Sequence, residues 1–253
     1  YNSPVNTLRG RAVYKHLYGH YMRKAVPYVR KFWGVTPWRC RYLHDVIGIP
    51  EEKIGLLIMG GDDEKIRLGE MPQLRDRLRR ELSLGSDDFV VVTGGKIDRA
   101  KNIHLLMQAV SALNGKAKLI VFGQPSSDMQ AEIEKLSQNE NIRFLGWIPA
   151  DRAYDYFLAS DLAFFPGTHS VLWEQACACG IPGVFKDWEG MRHVDIGGNC
   201  RFLHGDSEKE IRAVLSEIID HPETYLDMKK AAARGVKVFS YNDIAKRAIE
   251  AAE

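Results

Sequence analysis

Short β-rich runs alternate with segments of helical period from residue 87 onward, and this alternation most constrains how the chain can fold. Residues 88–95 (DFVVVTGG) and 116–123 (KAKLIVFG) have the composition of strands, and residues 102–113 and 126–138 that of helices. Strands joined by segments long enough for a helix pair in parallel beneath those helices. The pattern therefore predicts a doubly wound α/β domain.

The same unit repeats towards the C-terminus. Further strands are predicted at 141–146, 161–166, 182–185 and 200–203, with helices at 151–160 and 170–180 between them. Helix starts are predicted at Asn102 and Ser240, and at two capping boxes, Ser127 with Gln130 and Ser207 with Glu210.

Residues 1–60 do not continue this alternation of strands and helices, and their pattern predicts part of a different domain. They contain a basic, aromatic helical stretch, then a strand at 31–36, a helix at 38–48 and a strand at 54–61. We place the hinge at Gly60-Gly61-Asp62. The expected organisation is the tail of one domain with its connection (1–60), followed by a binding domain with C-terminal helices (61–253).

Charge is distributed unevenly between these parts. Residues 1–45 carry a net charge of +8 and the rest of the chain −6, with tyrosines and tryptophans interleaved among the basic residues. An anionic nucleic acid, the cytoplasmic face of a membrane and a merely solvated helix face all remain open as interpretations. No apolar run is long enough to span a bilayer and no signal peptide is recognisable, so a cytoplasmic location is expected.

Two loops that follow predicted strands have the composition of anion sites. After the first strand, Gly94 and Gly95 allow close backbone approach, and Lys96 and Lys101 supply ammonium groups suited to a diphosphate. The dinucleotide fingerprint G-x-G-x-x-G and the P-loop motif are both absent from the sequence. Solvated surface lysines are the plainer interpretation of this loop taken alone.

The second loop, PGTHS, precedes the helix that contains Glu174. Ser170 is predicted to cap that helix, and the amides of His169, Ser170 and Val171 are predicted to form a second phosphate site at its positive end. The Glu174 carboxylate can accept hydrogen bonds from the vicinal hydroxyls of a ribose. A first-turn acid that complements the helix dipole is the alternative interpretation.

Together these segments resemble the retaining GT-B glycosyltransferases of family 4. TGGKIDRAKNIHLLMQA resembles the G-R-L-x-x-x-K-G segment of that family, and LWEQACACGIPGV its L-E-A-M-A-C-G-x-P-V-V segment. NIRFLGWIP, DLAFFP and FSYNDIAKR are also similar, so the resemblance extends over roughly residues 35–250. It implies a Rossmann-like donor-binding domain, preceded by the closing elements of an N-terminal acceptor domain.

The resemblance also implies roles for particular residues. Lys96 and Lys101 would hold the donor diphosphate and Glu174 the ribose, and the loop formed by Gly146, Trp147 and Ile148 would border the base. The implied partners are a nucleotide-diphosphate sugar and a glycan or lipid-linked acceptor, with no nucleic acid, no metal and no further cofactor. The expected location is the cytoplasm, with peripheral contact at the inner membrane face through the basic segment.

Two departures from the family pattern affect the expected activity. The family usually has another glutamate eight residues before the ribose glutamate, and that position is Pro166 here. Most of the acceptor domain is expected before residue 1, so the catalytic residues are unknown and the isolated chain is expected to transfer sugar poorly. A sugar-nucleotide epimerase and a non-catalytic nucleotide-binding module remain open as alternatives.

Overall fold

The computed structural model describes residues 7–251, apart from the side chain of Arg11. The chain forms two compact units. We call residues 60–187 and 194–241 the sheet unit, and the described parts of 1–59, 188–193 and 242–253 the terminal unit.

The terminal unit begins with a helical stretch and contains a pair of short strands. Helix α1 (Leu8–Val13), a π-helical turn (Tyr14–Tyr18) and α2 (Gly19–Ala25) form the helical stretch. Strand β1 (Phe32–Gly34) pairs in parallel with β2 (Ile54–Leu56), and helix α3 (Pro37–Tyr42) with the π-helical turn Leu43–Ile47 connects them. The strands and helix predicted here are present, and the strands are shorter than expected.

The sheet unit is the predicted doubly wound α/β domain. Its elements are α4 (Met71–Glu81), β3 (Val90–Gly94), α5 (Ile103–Ser111), β4 (Lys118–Phe122), α6 (Gln130–Leu136), β5 (Ile142–Phe144), α7 (Arg152–Ala159), β6 (Leu162–Phe165), α8 (Leu172–Ala178), β7 (Gly183–Lys186), β8 (Cys200–Leu203), α9 (Glu208–Asp220), α10 (Pro222–Ala233) and α11 (Gly235–Val238). The parallel strands are ordered β5-β4-β3-β6-β7-β8. The last helix, α12 (Tyr241–Glu250), lies mostly in the terminal unit.

Among residues 7–251, no helix combines the length and the apolar character that a bilayer span requires.

Alternate residues of the central strands pack against different helices, as the period of a strand requires. One set, which includes Val91 and Phe164, forms a buried cluster with Leu106 of α5 and Leu215 of α9. The other set includes aromatic residues: Phe185 stacks on Phe165 with ring centroids 6.1 Å apart, and on Trp173 of α8 at 4.8 Å. The start of α8 therefore rests on a fixed aromatic layer.

The helix starts confirm the predicted cap at Ser207 but not the reciprocal bond of a full capping box. The Ser207 hydroxyl accepts the Glu210 N–H at 3.2 Å and begins α9, although the Glu210 carboxylate accepts from the backbone N–H groups of His204 and Gly205. The prediction at Ser127 was wrong, because α6 begins only at Gln130. A turn closed by the Ser126 carbonyl precedes it, and the Ser126 hydroxyl donates to Asp128 instead.

Candidate functional site

The strand order places a crevice between the loops that follow β3 and β6. The chain leaves β3 towards β4 and β5, whereas it leaves β6 towards β7 and β8, although β3 and β6 are neighbours. At such a topological switch point the two loops diverge, and open α/β sheets bind their ligands there. The candidate site consists of these loops, residues 94–102 and 166–171, with the start of α8.

Three glycines follow the carboxyl ends of the neighbouring strands β3, β4 and β5: Gly95, Gly123 and Gly146. A Cβ atom on Gly123 would lie 1.8 Å from the Gly95 carbonyl oxygen, and both glycines have positive φ, +130° and +105°. The Gly123 N–H donates to the Gly146 carbonyl at 2.7 Å, which continues the contact to β5. We call this stretch of backbone without side chains, formed by Gly95, Gly123 and Gly146, the ledge. Gly94 has a packing role, because its Cβ would meet the Phe122 ring at 2.3 Å.

The two lysines of the first loop have different environments. Lys96 is exposed, and its Nζ lies 3.4 Å from an Asp98 carboxylate oxygen. Lys101 is half-buried, and its Nζ donates to the carbonyls of Thr168 at 2.6 Å and His169 at 3.1 Å. Burial lowers the pKa of Lys101, partly opposed by Asp98. The ammonium of Lys101 therefore bridges both loops of the crevice.

The loop after β6 is held in place from the first loop. The Thr168 N–H donates to the Ala100 carbonyl at 3.0 Å, and Asn102 Nδ2 donates to the Pro166 carbonyl at 3.2 Å. A Cβ on Gly167 would lie 2.3 Å from the Ala100 oxygen, so the two backbones are in direct contact. With the Lys101 bonds, these contacts fix the backbone of residues 166–169.

The start of α8 differs from the prediction. Ser170 is not the N-cap, because the Ser170 carbonyl accepts the Trp173 N–H at 3.1 Å in a preceding turn and Val171 becomes the capping residue. Glu174 lies in the first turn, as predicted, and is buried. Its Oε1 lies 2.8 Å from Nε2 of His169, whose ring packs edge-to-face on Trp173. The structure thus brings His169 into contact with Glu174, the residue expected to bind a ribose.

The residues proposed to border the base lie at the edge of the sheet. Gly146, Trp147 and Ile148 follow β5, two strands and so about 10 Å from β3. The Trp147 side chain is 69% exposed, which is unusual for so large an apolar group. An exposed ring beside the ledge offers a stacking surface.

The family follows from a comparison with known proteins. The model of the family described as "Glycosyl transferases group 1" matches residues 75–235, which include the whole candidate site. The chain belongs to this family.

Individual relatives agree with this assignment. The chain is 25% identical over 218 residues to a D-inositol 3-phosphate glycosyltransferase of Catenulispora acidiphila, an alignment that covers 79% of this chain and 51% of the relative. It is 24% identical over 202 residues to the alpha-galactosylglucosyldiacylglycerol synthase of Streptococcus pneumoniae, covering 76% and 53%. The chain therefore spans about half the length of the curated relatives it matches.

A solved structure supports the fold. Anabaena HepE in complex with UDP superimposes with a TM-score of 0.73 at 19% identity, covering 98% of this chain and 69% of that one. The likeness is that of the Rossmann-like GT-B architecture, as the sequence predicted.

Three residues of the candidate site were not predicted from the sequence. Gly123 contributes to the ledge, Asn102 ties the two loops, and Trp173 supports the His169 ring. Gly123 could have been found, since a glycine directly after a buried strand often marks a positive φ. Asn102 acts through a contact with the distant Pro166 that the sequence does not reveal, and the contact of Trp173 with the nearby His169 ring depends on the turn before α8.

Proposed function

We propose that this chain supplies the donor-binding half of a retaining glycosyltransferase that moves a sugar from a nucleotide diphosphate to a glycan or lipid-linked acceptor. The observation that carries the proposal is the position of Lys101 on the first loop of the switch-point crevice and of Glu174 in the first turn of α8, directly after the second loop. Lys101 would hold the diphosphate, with Lys96 and the amides of residues 169–171 beside it. Glu174 would hold the ribose.

Electrostatics support the role of Lys101. Its ammonium is half-buried, donates to two neutral carbonyls, and has a lowered pKa. A diphosphate on the adjacent ledge would supply a countercharge, and charge-assisted contacts of this kind are worth about 1.5–3 kcal/mol each. Because Glu174 is fully buried, nucleotide binding would have to open a path to its carboxylate.

The remaining parts of the proposal concern the sugar and the acceptor. Residues 1–60 would close an acceptor-side domain, with 61–253 as the donor domain. The names of the relatives favour sugar transfer over epimerisation or simple nucleotide binding. Pro166 provides no carboxylate near the donor sugar, so the sugar would be held differently from the usual family pattern.

Calorimetry on the wild-type chain tests the donor site. UDP, GDP, ADP and pyrophosphate are titrated separately under the same conditions. We expect at least one nucleotide to bind about tenfold more tightly than pyrophosphate, because ribose and base contacts add to the diphosphate contacts. If all three nucleotides bind no better than pyrophosphate, the crevice is a general anion site and the proposal is wrong.

We further propose that the helical stretch of the terminal unit contacts an anionic membrane surface. Exposed apolar and aromatic side chains share this stretch with basic ones: Leu8 is 88% exposed, Tyr18 53% and Tyr21 65%, and Arg9 and Lys24 are also exposed. Basic groups are attracted to anionic headgroups and amphipathic rings lie at the interface. The lipid product named for the pneumococcal relative is consistent with such an acceptor.

Flotation with phosphatidylserine-containing vesicles tests the membrane contact. We expect binding at low ionic strength that high salt reverses, with about 1 kcal/mol from each basic residue near the surface. The triple variant Arg9→Glu, Lys15→Glu, Lys24→Glu should lose it. The matched control, Lys135→Glu, Lys209→Glu, Lys230→Glu, changes the same net charge at exposed positions of the sheet unit and should still float. Equal loss in both variants would refute a specific surface.

A further inference from the structure

His169 makes a contact with Glu174 that the proposed donor site does not explain. Nε2 of His169 lies 2.8 Å from Oε1 of Glu174, and the His169 side chain is only 8% exposed. When Glu174 is ionised its carboxylate can only accept, and Nε2 of His169 is then the donor. His169 therefore donates to the same carboxylate that would read the ribose.

The imidazole is held on two sides. Its ring packs on Trp173 at 5.0 Å with an interplanar angle of 84°, and Trp173 is itself fully buried against Phe185. The backbone carbonyl of His169 accepts a hydrogen bond from Lys101 Nζ, and the N–H of the preceding Thr168 donates to the Ala100 carbonyl. These contacts hold the ring beside the Glu174 carboxylate.

We propose that His169 is a positioning residue that sets the orientation of the Glu174 carboxylate for ribose recognition. The inference rests on the proposed function and adds a determinant of ribose specificity to it. An ionised carboxylate has about four lone-pair sites, so one bond from His169 leaves capacity for two vicinal hydroxyls. By fixing Oε1, His169 fixes the plane in which those hydroxyls must lie, and pre-organisation of this kind increases affinity.

Two substitutions separate the hydrogen bond from the packing of the ring. His169→Phe keeps an aromatic ring against Trp173 but removes the N–H donor. His169→Gln places an amide N–H at a similar distance along the side chain. The probes are pyrophosphate, whichever of UDP, GDP and ADP the wild type binds most tightly, and the 2′-deoxy form of that nucleotide. His221→Phe, at an exposed position between α9 and α10, is the matched control.

We expect His169→Phe to weaken the ribonucleotide about tenfold, to leave pyrophosphate unchanged, and to reduce the preference for the ribonucleotide over its 2′-deoxy form. His169→Gln should restore most of the affinity. In the Glu174→Ala background, which has no oxygen for His169 to bind, His169→Phe should have little further effect, because the two residues act as one unit. Thermal unfolding of each variant verifies that it is folded, and if His169→Phe is unfolded, His169→Leu, which also lacks a donor, replaces it in the cycle with Glu174→Ala.

The outcomes distinguish this inference from the function on which it depends. If no nucleotide binds the wild type better than pyrophosphate, the proposed function fails. If nucleotides bind but His169→Phe weakens pyrophosphate equally, His169 supports only the loop and the positioning role is wrong. Tighter ribonucleotide binding by His169→Phe would mean that His169 competes with the ribose, which also overturns the inference.

Discussion

Replacing Asp161 with alanine is expected to lower the free energy of unfolding by about 3–5 kcal/mol, the cost of breaking a buried ion pair by removing one partner. Asp161 accepts from the guanidinium groups of Arg75 and Arg79 and from the Val90 N–H. The Arg79 side chain is only 4% exposed. Without Asp161 its charge would stay buried with only carbonyl partners, and urea denaturation would measure the loss.

An exposed ion pair provides the control for Asp161. Asp227 pairs with Lys230 at 3.2 Å, with both side chains more than three-quarters exposed. Asp227→Ala should change stability by less than about 0.5 kcal/mol. If Asp161→Ala lost no more stability than Asp227→Ala, the carbonyls around Arg79 would satisfy its guanidinium without a carboxylate.

Replacing Lys101 with alanine is expected to weaken the binding of pyrophosphate and of nucleoside diphosphates alike, by about 1.5–3 kcal/mol. The substitution removes the charge that joins the two loops of the crevice. Lys116, an exposed lysine paired with Asp220, gives the matched control variant Lys116→Ala. If calorimetry found equal losses of pyrophosphate affinity for Lys101→Ala and Lys116→Ala, Lys101 would not be a diphosphate-binding residue.

The lowered pKa of Lys101 gives this prediction a pH dependence. Bound phosphate favours the ammonium, so the ligand binds the protonated form and is lost as pH rises through the pKa of the free protein. That pKa lies below the ordinary value of 10.5, so affinity should begin to fall at a lower pH than for an exposed lysine. Lys101→Arg stays charged and should bind pyrophosphate without this loss.

The sheet was predictable because its strands carry an unambiguous signal. Residues 90–92, 119–122 and 162–165 are continuous apolar runs, and the structure buries almost all of their surface. Runs of this kind are typical of parallel strands covered on both faces. Helix α4 was not predicted, because its polar sequence leaves only Leu74 and Leu78 as fully buried leucines and so a narrow apolar stripe.

Contacts between separate loops could not be predicted from the sequence. Nothing in the local pattern places the Asn102 amide on the Pro166 carbonyl, or Gly123 against Gly95. The helix starts at Ser127 and Ser170 were wrong for a local reason, since in both cases a backbone turn closes the chain before the helix begins. The Glu174 position in the first turn was correct, whereas its bond to His169 required the structure.

Glu174→Gln tests the central proposal, that the crevice recognises a ribonucleotide and not an anion alone. The substitution keeps the shape of the side chain and one acceptor oxygen but removes the charge. Calorimetry compares UDP, GDP, ADP and pyrophosphate on the wild type and this variant. We predict weaker binding of the ribonucleotides with pyrophosphate unchanged or slightly tighter, because a nearby negative charge is gone. Equal losses for pyrophosphate and nucleotide would contradict the proposal and assign Glu174 to the support of α8.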